Sequence, residues 1–461
     1  MNEILCPLES MARKQPEACA IRETHGRERI SYAQLDQLSS QMVQQLEQLS
    51  LRAQEPILVA AEPCSSMIAL FFACLRKNLV FAPVSLRAPV EQIAAFAQDI
   101  GARLMFTDTS YTHVPTNFQH MDTFPSQCIG PVACPLSSLG ENDVMGEKHR
   151  YTQTFIGLQQ HATCIQTSGS SSSPKAAVHF VQSHYYNALG SNQNIALRPG
   201  DAWMLSLPLY HVAGIAIVMR CVLAGATIVL PQTDVDFFQR IRFAEASHYS
   251  FVHTQLQRLL EDAPSLLQLQ KAKAILLGGS AIPETLIESA VRCALPIHVS
   301  YGATEMASQI TTTPPKASLA LLKTSGFPLV YREIRILPSQ EIEVCGLTRF
   351  AGYLTARGLE QPFLDGWFAT GDLGAWNSDG SLRILGRKDA MFISGGENIQ
   401  PQEIEAALEQ HPDILQAIVV DVPDPEFGAR PQAFVRSSAK RALSDENLED
   451  FLRSRIAAFK I

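Results

Sequence analysis

With 461 residues, 46% hydrophobic and 18% charged, the chain is too long for one simple core and too apolar to be disordered. A formal charge of −8 excludes any general attraction to nucleic acid or anionic lipid, so an anionic ligand has to be held by a local site. MNEILCPLES is no secretory signal, and the most apolar run, Met67 to Leu75, is about half a membrane span, so a cytoplasmic protein without membrane insertion is expected.

In chain order, PILVAAE (56–62) reads as a strand, Ser65 to Lys77 as a helix and VFAPVS (80–85) as the next strand. Further strands are expected at 103–107, 163–167, 202–208, 227–232, 249–254, 273–279 and 297–302, with helices over Asp236 to Ala246 and Pro283 to Ala294. Apolar β-runs joined by helices predict parallel sheets covered by helices. Residues 108–150 show no readable pattern. After about residue 330 the runs shorten, and Asn377-Ser378-Asp379-Gly380 predicts a hairpin turn in a small antiparallel β-unit. From Asp389 a new unit begins, with a helix over 400–410 and a strand over 416–422. The expected fold class is α/β. A large N-terminal region (1–388) holds helix-covered, mainly parallel sheets plus the small β-unit (330–388). A small mobile α+β C-terminal domain (389–461) follows, without its final segment.

Ten cysteines without CxxC spacing read as reduced thiols, and Cys128 and Cys134 are the closest pair. Among twelve histidines, His179/His184 and His248/His253 are five apart, which does not stack them on one helix face, so no zinc is expected.

Chemistry concentrates in the turns after the strands. Thr167-Ser168-Gly169-Ser170-Ser171-Ser172-Ser173-Pro174-Lys175 sets small hydroxylated residues around a glycine. Consecutive N–H groups of such a loop can converge on a phosphate, with Lys175 adding charge at the rim. Pro174 stands where a Walker loop needs glycine. A loose serine linker would not sit between a buried strand and AAVHF. Leu207 to Gly214 carries His211 after a proline turn, and taken singly such a histidine is more often structural. Gly278-Gly279 allows a flat ring to lie against the backbone, although a plain tight turn would look the same. In Ser300-Tyr301-Gly302-Ala303-Thr304-Glu305 the carboxylate can hold Mg²⁺, Tyr301 can stack on a base and Thr304 can donate to a phosphate. Asp372, in Ala369-Thr370-Gly371-Asp372, can accept ribose hydroxyls. Gly386-Arg387-Lys388-Asp389 and Ile393-Ser394-Gly395-Gly396-Glu397-Asn398-Ile399 complete the series.

In this order the motifs resemble the adenylate-forming superfamily of acyl-CoA synthetases, peptide-synthetase adenylation domains and luciferases. Within it, PKAAVH (174–179), LSLPLYHVAG (205–214), HTQLQRLL (253–260), LLGGSAIP (276–283), YGATEMAS (301–308) and SGGENIQPQEIE (394–405) are most similar to the o-succinylbenzoate–CoA ligase branch of menaquinone synthesis. The resemblance implies an acid–CoA ligase that makes an acyl-AMP from a small carboxylic acid, with ATP, Mg²⁺ and coenzyme A. No nucleic-acid partner is implied, and a homo-oligomer is left open.

By the same resemblance Ser168 to Lys175 would hold the β- and γ-phosphates, Glu305 the Mg²⁺ and Thr304 the α-phosphate. Gly279 and Tyr301 would border the adenine, and Asp372 and Arg387 would bind the ribose. His211 would sit at the acid pocket, Asp389 at the hinge of the C-terminal domain, and Gly395 and Gly396 on the pantetheine tunnel. An adenylating enzyme with a carrier-protein acceptor and a non-catalytic nucleotide-binding relative remain open here. Two departures stand out. Ser172 occupies a position where relatives carry Gly, and its Cβ restricts positive φ in the loop. The family's adenylation lysine aligns after Ile461, and losing one such preorganised charge costs about 10²–10³ in rate, so adenylation is expected to be the slower half-reaction of these 461 residues.

Overall fold

The computed structural model describes residues 2–24, 29–107, 118–120, 132–135, 153–167, 175–232, 234–437 and 443–461. Two nine-stranded sheets dominate them. In the first, the strands Val80–Pro83, Pro56–Ala60, Leu104–Thr107 and Val132–Pro135 run parallel, with His161–Thr167 parallel to Val80–Pro83. In the second, Ile297–Ala303, Ala274–Leu277, His248–Phe251, Ala202–Met204, Thr227–Leu230 and Cys19–Glu23 form a parallel core with antiparallel edges. The apolar side chains of Pro56–Ala60, Val80–Pro83, Leu104–Thr107, Thr227–Leu230, His248–Phe251 and Ala274–Leu277 are buried, as strands covered on both faces require.

Helices Ser65–Arg76 and Val212–Ala224 contribute to the largest core. Met67 to Leu75 is buried throughout, so the run too short for a membrane is an internal helix. Gly101 and Gly225 end two helices in the left-handed region, at φ 69° and 68°.

Several expectations change in detail, and the strand expected over 202–208 ends at Met204. Strand Lys175–Phe180 runs antiparallel to His161–Thr167, with Thr167 opposite Lys175, so the two strands that flank the serine-rich segment pair as a hairpin. The segment 330–388 is divided: Gly352–Thr355 and Gly358–Glu360 join the first large sheet, whereas 332–346 and 363–387 build the small antiparallel sheet. Gly352 packs where a Cβ would meet the Glu360 carbonyl at 2.3 Å, which lets that hairpin close tightly. The strand expected over 249–254 stops at Phe251, because helix His253–Leu260 begins two residues later.

Thr167 is the last residue of one strand, and Leu207, Gly278 and Thr304 follow the carboxyl ends of three others, the usual position of ligand sites on such sheets.

Helix Tyr32–Glu47 is fastened to Ser65–Arg76 by a buried ion pair between Arg76 and Asp36. The same guanidinium donates to Ser40 Oγ at 3.0 Å and Cys6 Sγ at 3.3 Å. Arg76→Ala strands a buried carboxylate and should cost about 3–5 kcal/mol. Combining Arg76→Met with Asp36→Leu should recover most of that loss. Urea unfolding of both variants checks it, and equal losses would show that the pair is not the reason.

Candidate functional site

A polar cluster forms where the small antiparallel sheet meets strand Ile297–Ala303. Strands Trp367–Trp376 and Leu382–Arg387 pair so that Asp372 lies opposite Arg387. Arg387 Nη1 donates to Asp372 Oδ1 at 3.0 Å and to the Thr370 carbonyl at 3.1 Å. Its Nε and Nη2 reach the two oxygens of Asp389 at 3.0 and 3.2 Å, a forked contact. The Asp389 hydrogen bonds, joined by Asp372, raise the Arg387 pKa despite partial burial, so the guanidinium stays charged.

Tyr301 OH donates to Asp372 Oδ2 at 2.6 Å. Burial, with the Asp372 charge beside it, raises the Tyr301 pKa well above the usual phenol range. The phenol is therefore a fixed donor and sets the carboxylate's orientation. Gly371, at φ 73°, turns the strand over the guanidinium: a Cβ there would lie 3.1 Å from Arg387 Nη2.

Beside this cluster, Glu305 sits in the 3₁₀ turn Thr304–Met306. Tyr353 OH donates to Glu305 Oε1 at 2.6 Å, and burial with the neighbouring carboxylate raises the Tyr353 pKa. Lys175 Nζ stands 4.9 Å from the centre of the Tyr353 ring. Register explains that contact, since Tyr353 pairs with Ala177, two residues along and on the same face as Lys175. The two clusters adjoin because Tyr301, on strand Ile297–Ala303, and Glu305, in the turn that follows it, are four residues apart.

Lys175, Tyr301, Thr304, Glu305, Asp372 and Arg387 are thus gathered in one region. Gly279, at φ 88°, follows Ala274–Leu277 beside Ile297–Ala303, and a Cβ on its neighbour Gly278 would come within 3.3 Å of the Ser300 carbonyl. Thr167 is buried at the foot of the hairpin. Ser168, Gly169, Ser170, Ser171 and Ser172 lie outside the described residues.

His211 is the exposed N-cap residue of helix Val212–Ala224, without a side-chain capping bond, and its ring centre lies 4.7 Å from that of Tyr210. Its neighbours shield the ring enough to lower its pKa and favour the neutral form. Gly395 and Gly396, at φ 58° and 87°, form the two-residue turn between Phe392–Ser394 and Glu397–Ile399. His211 and this turn share no hydrogen bond with the Arg387 cluster among the described residues.

Sequence reasoning missed Tyr353 and Arg220. Arg220 is 1% exposed, its Cζ is 5.2 Å from the Trp203 ring centre, and its Nε and Nη2 have no hydrogen-bond partner among the described residues. Burial lowers its pKa to about 9, so it is still cationic at neutral pH. A legible signal existed: Arg220 is the one charge in the apolar helix sequence VAGIAIVMRCVLA.

The family described as AMP-binding enzyme matches residues 8–360, and the AMP-binding enzyme C-terminal domain matches 403–461. The 2-succinylbenzoate–CoA ligase of Geobacillus kaustophilus is 31% identical over 97% of this chain and 90% of its own length. The corresponding enzyme of Bacillus licheniformis is 36% identical over 66% of each chain. The o-succinylbenzoate CoA synthetase of Bacillus subtilis in complex with its acyl-adenylate intermediate is 27% identical and superposes with a TM-score of 0.85, over 100% of this chain and 94% of that one. Its complex with ATP and magnesium ion gives 0.84 over the same shares.

The setting of His211 depends on close packing at Gly214, where a Cβ would meet the Pro208 carbonyl at 2.3 Å. Gly214→Ala should therefore destabilise the protein by about 1–3 kcal/mol through overpacking. Thermal or urea unfolding measures this, and an unchanged midpoint would show that the turn relaxes freely.

Proposed function

Because the chain belongs to the AMP-binding enzyme family, we propose that it is an ATP-dependent acid–CoA ligase acting on 2-succinylbenzoate. The acid is activated as an acyl-AMP with release of pyrophosphate, and the acyl group then passes to coenzyme A with release of AMP. The observation that carries this reading is the joined cluster of Asp372, Arg387 and Tyr301 beside Glu305 and Lys175.

A carboxylate has to approach an anionic α-phosphate, so fixed positive charge and donors must offset the repulsion. Lys175 and the serine-rich loop it closes hold the β- and γ-phosphates. Thr304 donates to the α-phosphate, Asp372 accepts from the ribose hydroxyls and Arg387 contacts the same sugar. Gly279 and Tyr301 border the adenine. Glu305 has one oxygen on Tyr353 and the other without a hydrogen bond among the described residues, which suits a magnesium ion. Such an ion neutralises phosphate charge when bound.

The division into residues 1–388 and 389–461 belongs to the same proposal, with Asp389 at the hinge. His211 would gate the acid pocket, and Gly395 with Gly396 would admit the pantetheine arm once the C-terminal domain has turned. A cytoplasmic location fits this chemistry; among the described residues no helix is long and apolar enough to cross a membrane.

Arg220 favours an acid with two carboxylates. A buried guanidinium with two unpartnered N–H groups and no carboxylate partner among the described residues is costly until an anion meets it. The second carboxylate of 2-succinylbenzoate supplies that anion.

Two variants test the reading. Asp372→Ala removes charge-assisted hydrogen bonds worth about 1.5–3 kcal/mol and should weaken ATP binding by roughly tenfold or more in titration calorimetry. Arg220→Met should raise KM for 2-succinylbenzoate by about the same factor, and leave turnover of the analogue lacking the ring carboxylate unchanged. Unaltered ATP binding removes Asp372 from the site; equal effects on both acids remove Arg220 from recognition. Pyrophosphate release that needs a carrier protein rather than coenzyme A would replace the acceptor.

A further inference from the structure

Three buried side chains behind the Glu305 turn have no part in the steps above. Thr163 lies on strand His161–Thr167, His179 on Lys175–Phe180 and His184 on helix Val181–Asn194; none is more than 1% exposed. His179 Nε2 is 2.7 Å from the carbonyl oxygen of Thr304. Thr163 Oγ1 is 3.1 Å from His179 Nδ1 and 2.8 Å from His184 Nε2.

Only one proton arrangement satisfies these contacts. A carbonyl can only accept, so His179 Nε2 carries hydrogen and, in the neutral ring, its Nδ1 accepts. The Thr163 hydroxyl therefore donates to His179 Nδ1 and accepts from His184 Nε2–H. Burial keeps both rings neutral, lowering the His179 pKa to about 4 and that of His184 well below its ordinary value. The chain of hydrogen bonds thus has a single direction and carries no net charge.

The peptide it grips is one that needs support. Ala307 and Ser308, directly after the turn, take φ 55° and 114°, unfavourable for residues with a Cβ. The turn's other carbonyls are also gripped from outside: Phe350 N donates to Glu305 O at 2.8 Å, and Asn187 Nδ2 to Met306 O at 3.2 Å. The His179 bond differs from these in its origin. Thr163 and His179 lie four residues outside Thr167 and Lys175, on the two strands that the serine-rich loop joins.

We propose that His179 is a positioning residue for adenylation, fixing the Thr304–Glu305 peptide relative to the base of the phosphate loop. This rests on the reading of Thr304 and Glu305 as phosphate and magnesium ligands. By locking that peptide plane, His179 keeps the Thr304 hydroxyl and the Glu305 carboxylate in register with Lys175, so groups on two different sheets address one triphosphate.

The experiment is ATP–pyrophosphate exchange with 2-succinylbenzoate on the full 461-residue chain carrying His179→Phe, His179→Gln, Thr163→Val or Glu305→Gln. His179→Phe fills the space without the donor and should lower kcat about tenfold or more, with KM for the acid within about twofold. His179→Gln can donate from Nε2 and accept on Oε1, and should restore most of the rate. Thr163→Val removes the support of Nδ1 and should give an intermediate loss. Thermal unfolding of each variant shows which of them fold. If His179→Phe does not fold, the comparison of His179→Gln with Thr163→Val decides. Full rate in Thr163→Val or in a folded His179→Phe, or a Gln variant no better than Phe, overturns the proposal. An unimpaired Glu305→Gln would instead overturn the site reading on which it rests.

Discussion

The site is organised by one guanidinium. Arg387 divides its donors between Asp372, the Thr370 carbonyl and Asp389, and so joins the small antiparallel sheet to the beginning of the C-terminal segment. A planar fork with five donors can serve two carboxylates and a carbonyl together, which an ammonium group cannot do with the same geometry. Tyr301 then has a fixed acceptor to meet, and Asp372 keeps one orientation. If Asp389 is the hinge, its forked contact with Arg387 has to break when the C-terminal domain turns. That would couple domain position directly to Asp372.

Buried cations meet different fates in this fold. Arg76 has a carboxylate, Asp36, and together they join two helices. Arg332 has three carbonyl partners, at Gln309, Val330 and Asn187, and occupies space that Gly190 leaves by lacking a Cβ; burial, and secondarily the charge of Arg220, lowers its pKa to about 9. Arg220 alone of the three keeps two buried nitrogens, Nε and Nη2, unpaired among the described residues. Structural arginines are satisfied within the chain, because an unmet buried charge costs stability. An unsatisfied one is consistent with a partner that arrives from outside.

Neutral groups complete the design. Tyr301 and Tyr353 are held protonated by burial and by the carboxylates they serve, and His179 and His184 are held uncharged. Each is therefore a donor of fixed direction that adds no charge to a site already balancing several anions.

Much of this was legible without coordinates. Apolar runs of strand length, glycine pairs after them, and a carboxylate or lysine at fixed places are local features, and backbone preference with burial gives them local meaning. They located the parallel strands, the turn at Asn377–Gly380, and Lys175, Tyr301, Glu305, Asp372 and Arg387. Contacts between residues distant in sequence were decided only by tertiary pairing. Tyr353 reaches Glu305 because Gly352–Thr355 leaves the small β-unit to pair with Lys175–Phe180. His179 and His184, whose five-residue spacing argued against a shared helix face, meet at Thr163 because one is on a strand and the other on the following helix. Arg220 was visible as a lone charge in an apolar helix, but its unpaired N–H groups could be recognised only once every neighbour was in place. Sequence fixes what each residue can donate, accept or bury; only the packed chain determines which partners remain for it.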